Sequence, residues 1–578
     1  LRGREAMDDE AMVAFVVRCQ TQPRGARPSI ETLLHAFLPA TDVDHVHADA
    51  ICALTNGANA AGTVRDALGP RVGFVEYIRP GFALARRVAE LADHDAVVLA
   101  HHGLVTWGEG EASFARTIEL VHQAEEYLTA RQRTRVTAAP SEATPLAESF
   151  LLKLRGRLSR RGHVIVHVGR DRATANRDDI SRIADAGPAT ADHLLHIGPG
   201  PLLVEAEGSI DEATEMFERR YRAYWERNRA RAPRGTVMHD PRPRIVLVPG
   251  VGTLAIAESE QRARIVAAVA ERSHAVAAAT LDAFGEAVPL SERDLFDIDY
   301  WPLELAKLGA RTQNELAGHV IIVTGAAGAI GRATALAVTH AGAHLVATDR
   351  DVTRLEDLAG RLAREGRSVL SVAGDICDEA FVEQLVSAAV GRYGGVDGAV
   401  SNAGVAVSGR LVDVTSADWQ RSLDTNTTSH FLLTRRMLRA FATQGIGGSL
   451  VYIASKNAFD AGAGFGPYSV AKAAEVQIAR LAAIEGGPLG VRANVVNPDA
   501  IFSGSRLWSD DLRRSRAEAH GVSVDDLEQF YAQRNLLRRV VRAEDVAEAA
   551  VFLLSDRSSR TTGSVIPVDG GLPAAFPR

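Results

Sequence analysis

Cysteine is scarce in this chain. Three residues, Cys19, Cys52 and Cys377, are too few and too scattered among 578 to form a disulfide framework or a thiolate zinc site. A reducing cytoplasm is the expected compartment. No apolar run approaches the roughly 18 residues of a membrane helix, so no membrane partner is expected. Internal repeats and low-complexity tracts are lacking too. Lys and Arg total 65 against 72 Asp and Glu, and a net charge of −7 argues against a nucleic-acid footprint. The basic clusters Arg155–Arg161 and Arg219–Arg231 read as solvated helix faces. At 46% apolar and 24% charged residues the composition is that of an ordinary globular protein, and the length exceeds one core's reach. The chain begins at Leu1 rather than Met, inside an acidic helix-like stretch. It is expected to be a fragment, with a lost targeting peptide left open.

The second half is organised around Ser455–Lys472, S-K-N-A-F-D-A-G-A-G-F-G-P-Y-S-V-A-K. Tyr468 and Lys472 stand four residues apart, so a helix puts both over one face. A phenol's reference pKa is about 10. A unit positive charge about 4–5 Å away is worth about 3–4 kcal/mol at an effective dielectric of about 20, which brings tyrosinate within reach of neutrality. Ser455 follows the strand-like run S-L-V-Y-I-A (449–454), which delivers its hydroxyl to a sheet edge to hold a carbonyl or alcohol oxygen. Upstream, V-I-I-V-T (320–324) reads as a buried strand leading into G-A-A-G-A-I-G (325–331) and then a helix. Gly325, Gly328, Ala329, Ile330 and Gly331 form a phosphate-cradling loop at that helix's positive N-terminus. A second strand ends at Asp349, about 20 residues on, where an acid accepts ribose hydroxyls and repels a 2′-phosphate. NAD is therefore expected over NADP, a preference weakened by the adjacent Arg350.

Over Leu316–Gly571 these motifs resemble the short-chain dehydrogenase/reductase family. The resemblance adds Asn402-Ala403-Gly404 and Asp375 as cofactor-binding residues, and Asn426 as the holder of a proton-relay water. Asn497-Pro498 resembles the loop that closes over nicotinamide, and Val568-Asp569-Gly570-Gly571 the C-terminal signature. There are two departures. Ala329 stands where the middle glycine is usual, with Gly328 one place early, and Asp499 replaces the glycine after Asn-Pro.

In the first half, Pro28-Ser29-Ile30-Glu31 opens a helix, with Ser29 as N-cap and Glu31 in the first turn. The segment D-V-D-H-V-H-A-D-A (42–50) puts His45 and His47 on one side of a strand, able to take adjacent vertices of a metal's shell. A buried-strand run, A-V-V-L-A (96–100), ends in His101-His102-Gly103. Adjacent strand residues face opposite ways, so one of the two histidines can join. These residues resemble the class II, metal-dependent sugar-phosphate aldolases. The resemblance implies zinc on His45, His47 and His102, with Glu31 as acid/base. That family's glycine-rich phosphate loop lies upstream of the glutamate, and none precedes Glu31 here, which fits a truncated record.

Residues 131–150 read as a linker. The middle segment has strand runs at 162–168 and 244–252 and a long helix near Glu258–Phe284. His163, His167, His193 and His196 match no tight metal spacing, and V-P-G-V-G (248–252) reads as a turn after a buried strand. The expected architecture is α/β throughout. It comprises an aldolase-like metal-binding domain (1–145), an α/β connecting segment (146–315) and a Rossmann doubly wound parallel sheet (316–578). The whole order, with the stretches 294–308 and 497–508, resembles the bifunctional rhamnulose-1-phosphate aldolase/short-chain dehydrogenase proteins. That implies small-molecule partners, a sugar phosphate and a hydroxy-aldehyde, and a homo-oligomer. The alternative is a sugar or polyol dehydrogenase carrying a non-catalytic aldolase-like binding or oligomerisation module.

Overall fold

The computed structural model describes residues 1–578 except 2, 23–24, 26–27, 133–145, 170, 172–173, 206–207, 307–313, 506 and 577–578. Most of the linker expected at 131–150 therefore lies outside the described residues. The chain divides into two compact units. One comprises residues 1–145, 168–256 and 264–311; the other comprises 146–167, 257–263 and 312–578. Among the described residues, no helix is long and apolar enough to cross a membrane.

In the first unit, strand Asp42–Val46 pairs antiparallel with Gly103–Gly108, which pairs antiparallel with Ala96–Leu99, and Val72–Val75 closes the sheet in parallel. Alternation along these strands separates two cores. Val97, Leu99 and Val105 pack with Leu34, Phe37, Phe82 and Val88 on one face; Ala96, Val98 and Leu104 pack with Leu54, Leu120 and Leu128 on the other. The unit's later part pairs Leu202–Leu203 in parallel with Ile245–Val248, and the latter antiparallel with Gly252–Ala257. The V-P-G-V-G stretch is the turn of that hairpin, with Gly250 at φ +75.

The second unit is built on a seven-stranded sheet in the order Val369–Ala373, His344–Asp349, Val320–Thr324, Gly398–Ser401, Gly448–Ile453, Val491–Pro498, Val565–Val568. Every pairing is parallel. The central strands are buried along their length, as a sheet covered on both faces requires. Val323, Val400, Val451 and Val496 pack with Ala335, Val338, Val546 and Ala550 from helices Ala329–His340 and Ala543–Leu554. The strand order reverses between Val320–Thr324 and Gly398–Ser401, which opens a crevice at their carboxyl ends, where ligands bind in doubly wound sheets.

Two sequence expectations are corrected here. Arg155 is not part of a solvated face: it is fully buried and forms an ion pair with Asp397 in the same unit. The reason is a partner remote in sequence, since Asp397 lies at the edge of a buried strand and its other side-chain contacts come from His163 and the Val320 amide. Asn497-Pro498 is not loop either. It ends the strand Val491–Pro498, paired with Pro567 and Val568, and the chain leaves the sheet at Asp499.

Candidate functional site

In the first unit, His45 lies near the end of its strand and His47 just beyond it. His45 Nε2 stands 3.1 Å from His47 Nε2 and 3.3 Å from His102 Nε2. Nitrogens on a tetrahedral cation about 2.0–2.1 Å away are separated by about 3.3 Å, so the spacing fits one divalent ion. These three form the one cluster of that kind among the described residues. The histidines of the middle segment do not assemble into a second.

His102 arrives on the turn between Ala96–Leu99 and Gly103–Gly108. His101 carries a positive φ of 52°, which turns the chain and sends the two rings apart. His101 N donates to Thr55 Oγ1, and burial lowers the ring's pKa to about 4, so it stays neutral away from the cluster. The following residue must be glycine: a Cβ on Gly103 would lie 2.3 Å from the Val46 carbonyl oxygen and 2.9 Å from the His47 ring.

His45 Nδ1 is 3.1 Å from the Leu104 carbonyl, which fixes the tautomer that leaves Nε2 free to coordinate. His47 Nδ1 is 3.3 Å from Asp192 Oδ2, on helix Ala191–Ile197 of the same unit. Sequence reasoning missed Asp192. The one local signal is its place in the first turn of a Thr190-capped helix, and that signal carries no chemistry.

Glu31 occupies the N-cap position of helix Thr32–Phe37 rather than its first turn. Ser29 Oγ accepts the Glu31 N–H and closes a turn ahead of the helix. The Glu31 Oε1 is buried, 3.0 Å from His102 Nε2 and 3.5 Å from His45 Nε2. Burial pushes the carboxyl's pKa up, but hydrogen bonds and charge from His102 and His45 outweigh it and hold the group well below its usual range. A buried anionic oxygen facing two of three clustered imidazole nitrogens is the arrangement a cation completes.

In the second unit, Ile330, Asn402, Gly404, Ser455, Tyr468, Lys472 and Pro498 line one cleft at the carboxyl ends of the strands. Helix Ala329–His340 starts there without a side-chain cap, leaving its first N–H groups for an anion. Gly325 sits at φ +62, and a Cβ on Gly331 would fall 2.1 Å from the Gly325 carbonyl oxygen. Ala329 is the first helical residue, where a methyl is accommodated, and Gly328 is the N-cap. The uncapped helix end and the crowded glycines are a cradle that suits a pyrophosphate.

Asp349 ends its strand buried. Its Oδ2 accepts the Ala327 N–H and its Oδ1 the Asp351 N–H, so it also braces the loop. Asn402 turns its amide inward to the Thr324 carbonyl, while the Asn402 and Ala403 N–H groups donate to Thr324 Oγ1. Asp375 is exposed after strand Val369–Ala373 and accepts the Cys377 N–H.

Asn426 lies in a π-helical turn, Asp424–Thr428, a distortion typical of functional positions. Its side chain is bound to Val405 in both directions, at 2.9 Å each, which pins the segment after Gly404. Tyr468 and Lys472 share a face of helix Gly466–Gly486, with the ammonium 6.0 Å from the phenol ring's centre. The sequence argument took that ammonium as an uncompensated charge. It is instead bound to the Ile453 carbonyl at 2.8 Å and to the carboxylate of Glu475 at 2.6 Å, a residue not singled out from the sequence.

Three stretches of the chain match family models. Residues 4–128 match the class II aldolase and adducin N-terminal domain, 145–308 the second domain of class II aldolases, and 325–573 the enoyl-(acyl carrier protein) reductase family description. The chain is similar to the uncharacterized oxidoreductase YuxG of Bacillus subtilis (strain 168), at 34% identity over 100% of this chain and 87% of that protein. Its C-terminal part is similar to the dehydrogenase/reductase SDR family member 4 of Pongo abelii, 34% identical over 47% of this chain and 94% of the relative. Among solved structures, levodione reductase aligns at 30% identity over 45% of this chain and 98% of its own, with a TM-score of 0.41.

Proposed function

From a chain that belongs to the family of oxidoreductases joining class II aldolase domains to a short-chain dehydrogenase/reductase domain, we propose a bifunctional enzyme of sugar-phosphate breakdown. One unit cleaves L-rhamnulose 1-phosphate to dihydroxyacetone phosphate and L-lactaldehyde. The other oxidises the lactaldehyde, as its hydrate, to lactate with NAD. The observation that carries the reading is the convergence of Glu31 Oε1 on the His45 and His102 nitrogens, in a chain that also carries Tyr468 and Lys472.

In the aldolase unit, His45, His47 and His102 are the residues to hold a divalent ion. An all-imidazole donor set suits zinc, which supplies Lewis-acid polarisation of the substrate oxygens. Glu31 moves the proton to or from carbon as the carbon–carbon bond breaks or forms. Asp192 holds the His47 ring in register.

In the dehydrogenase unit, NAD supplies the hydride acceptor, and Asp349 selects it over NADP. Tyr468 takes the hydroxyl proton, Ser455 holds the oxygen and Lys472 orients the phenol. The hydrate loses a hydride from carbon and a proton from oxygen, leaving the acid. Tethering keeps a reactive aldehyde near its consumer by raising its local concentration. The protein also assembles with copies of itself, a reading supported by Val470, Leu481 and Ile484, exposed on helix Gly466–Gly486, and by exposed Phe431. The three unpaired cysteines suit the reducing cytoplasm.

One assay tests the coupled reading: rhamnulose 1-phosphate and NAD are given together, and NADH, dihydroxyacetone phosphate and lactate are followed at once. All three are expected in step. NADH that requires added aldehyde, with no triose phosphate formed, overturns it. Fuculose 1-phosphate in parallel tests the stereochemical preference.

A further inference from the structure

Helix Gly466–Gly486 carries a third ionisable group on the face of Tyr468 and Lys472. Glu475 follows Lys472 by three residues and has no exposure to solvent. Its Oε2 lies 2.6 Å from Lys472 Nζ, and the same ammonium donates to the Ile453 carbonyl at 2.8 Å. Two of the three ammonium N–H groups are thereby committed, and one is left for the cleft that Tyr468 and Lys472 line.

The elements packed around Glu475 add no second cation. His430, on helix Ser429–Gln444, brings Nδ1 to 3.6 Å from Glu475 Oε1 and to 2.6 Å from Ser401 Oγ. Burial, reinforced by the charge of Lys472, keeps that imidazole neutral by pushing its pKa well down. Tyr452, from strand Gly448–Ile453, has its hydroxyl 2.6 Å from Thr434 Oγ1 and stays a phenol, burial pushing its pKa up. Glu475 Oε1 itself has no hydrogen-bond partner. Lys472 is therefore the only positive charge that faces it among these neighbours.

A buried carboxylate with one unpartnered oxygen is costly, and a structural pair could be replaced by apolar side chains without loss. It also opposes the one feature that makes Tyr468 a base, the neighbouring positive charge. We propose that Glu475 is a positioning residue that acts on Tyr468 through Lys472: it fixes the ammonium and partly cancels its charge, so that proton removal from the substrate sets in at higher pH than Lys472 alone would allow. Burial raises the Glu475 carboxyl to about 7 against the pull of Lys472, which puts the change in its counter-charge in the neutral range. The proton balance of the oxidation is unchanged: the hydroxyl proton passes to the Tyr468 phenolate and the hydride to NAD.

The inference rests on Tyr468 being the base, and the test separates the two. The full chain is given NAD and lactaldehyde, and kcat/KM for NADH formation is measured across pH 5.5–10 together with NAD affinity and Tm. Tyr468→Phe is expected to abolish turnover while NAD still binds; a variant that keeps turnover overturns both readings. Glu475→Gln is expected to move the rising limb of the profile to lower pH by about one to two units, the effect of removing one charge at this range. Glu475→Asp, which keeps the charge, is expected to return the limb toward the wild-type position. Should Glu475→Gln not fold, Glu475→Met carries the same expectation. A limb that stays in place while activity falls equally at every pH makes the pair structural and overturns the proposal.

Discussion

Arg155 and Asp397 stand 242 positions apart in sequence and meet as a buried ion pair within one unit, at exposures of 0% and 2%. The guanidinium also donates to the Val164 and Gly318 carbonyls, and Asp397 accepts the Val320 N–H. The pair thus ties helix Glu148–Leu158 to the start of a central strand of the dehydrogenase sheet.

Removing one member of such a pair leaves the other charge buried and unpaired. Arg155→Met is expected to destabilise the second unit by about 3–5 kcal/mol, and the Arg155→Met/Asp397→Asn double variant by distinctly less. Urea unfolding of each variant measures both. Burial alone would raise the Asp397 pKa, but Arg155 and His163 outweigh it and hold the group well below its usual value. A lowered acid stabilises the fold above its unfolded value of about 3.9, and that stability is lost as pH falls through the folded value. Asp397→Asn should therefore flatten the acid limb of the stability curve below about pH 4. A limb of unchanged steepness would assign acid unfolding to other carboxyls.

The metal-binding reading gives a graded series. His45→Ala/His47→Ala is expected to purify without the divalent ion that wild type retains. His101→Ala should retain it, because the positive φ at His101 turns its ring away from the cluster of His45, His47 and His102, which it does not join. Asp192→Asn keeps all three ligands but loosens the His47 ring, and about a 10–100-fold drop in metal affinity is expected. Elemental analysis and competition with a chelating dye read all three. Equal metal content in wild type and the double alanine variant would return the histidines to a structural role.

Much of the architecture was legible because local pattern and tertiary role agree. V-I-I-V-T reads as a buried strand and is one, and its glycine loop opens the helix the spacing predicts. His45 and His47 were readable as a pair from their two-residue spacing, although the strand ends at Val46 and His47 falls just beyond it. Parity left His101 and His102 open and the family resemblance named His102; the physical reason, a positive φ at His101 and the close approach of the Val46 carbonyl to Gly103, appears only in the structure. Arg155 was misread because a run of arginines looks solvated, and nothing near it announces a partner 242 residues away. Glu475 stood at a readable helix spacing from Lys472, but the same spacing is commonplace on exposed helices. Only burial distinguishes it.

The nucleotide loop makes a steric prediction. A methyl at position 331 would press on the Gly325 carbonyl oxygen at 2.1 Å and on Asn402 Nδ2 at 2.8 Å. Gly331→Ala is expected to weaken NAD binding about 5–150-fold, the equivalent of about 1–3 kcal/mol of overpacking. Ala329→Gly, which only removes a methyl from the first helical position, should leave affinity within a few-fold. Fluorescence titration with NADH compares them, and the opposite order would mean that position 329, not 331, is where the loop meets the cofactor.

The proposed NAD preference turns on Asp349, whose Oδ2 accepts the Ala327 N–H and whose Oδ1 accepts the Asp351 N–H. The wild type is expected to prefer NAD, since a 2′-phosphate would meet this buried carboxylate. Asp349→Ser should lower kcat/KM for NAD about 10–100-fold, the cost of hydrogen bonds to a charged acceptor, and raise it for NADP as the repulsion disappears. Because the same carboxylate braces the glycine loop, Tm should fall alongside. A loss for both cofactors with an unchanged ratio would mean that Asp349 serves the loop alone and that Arg350 next to it sets the preference.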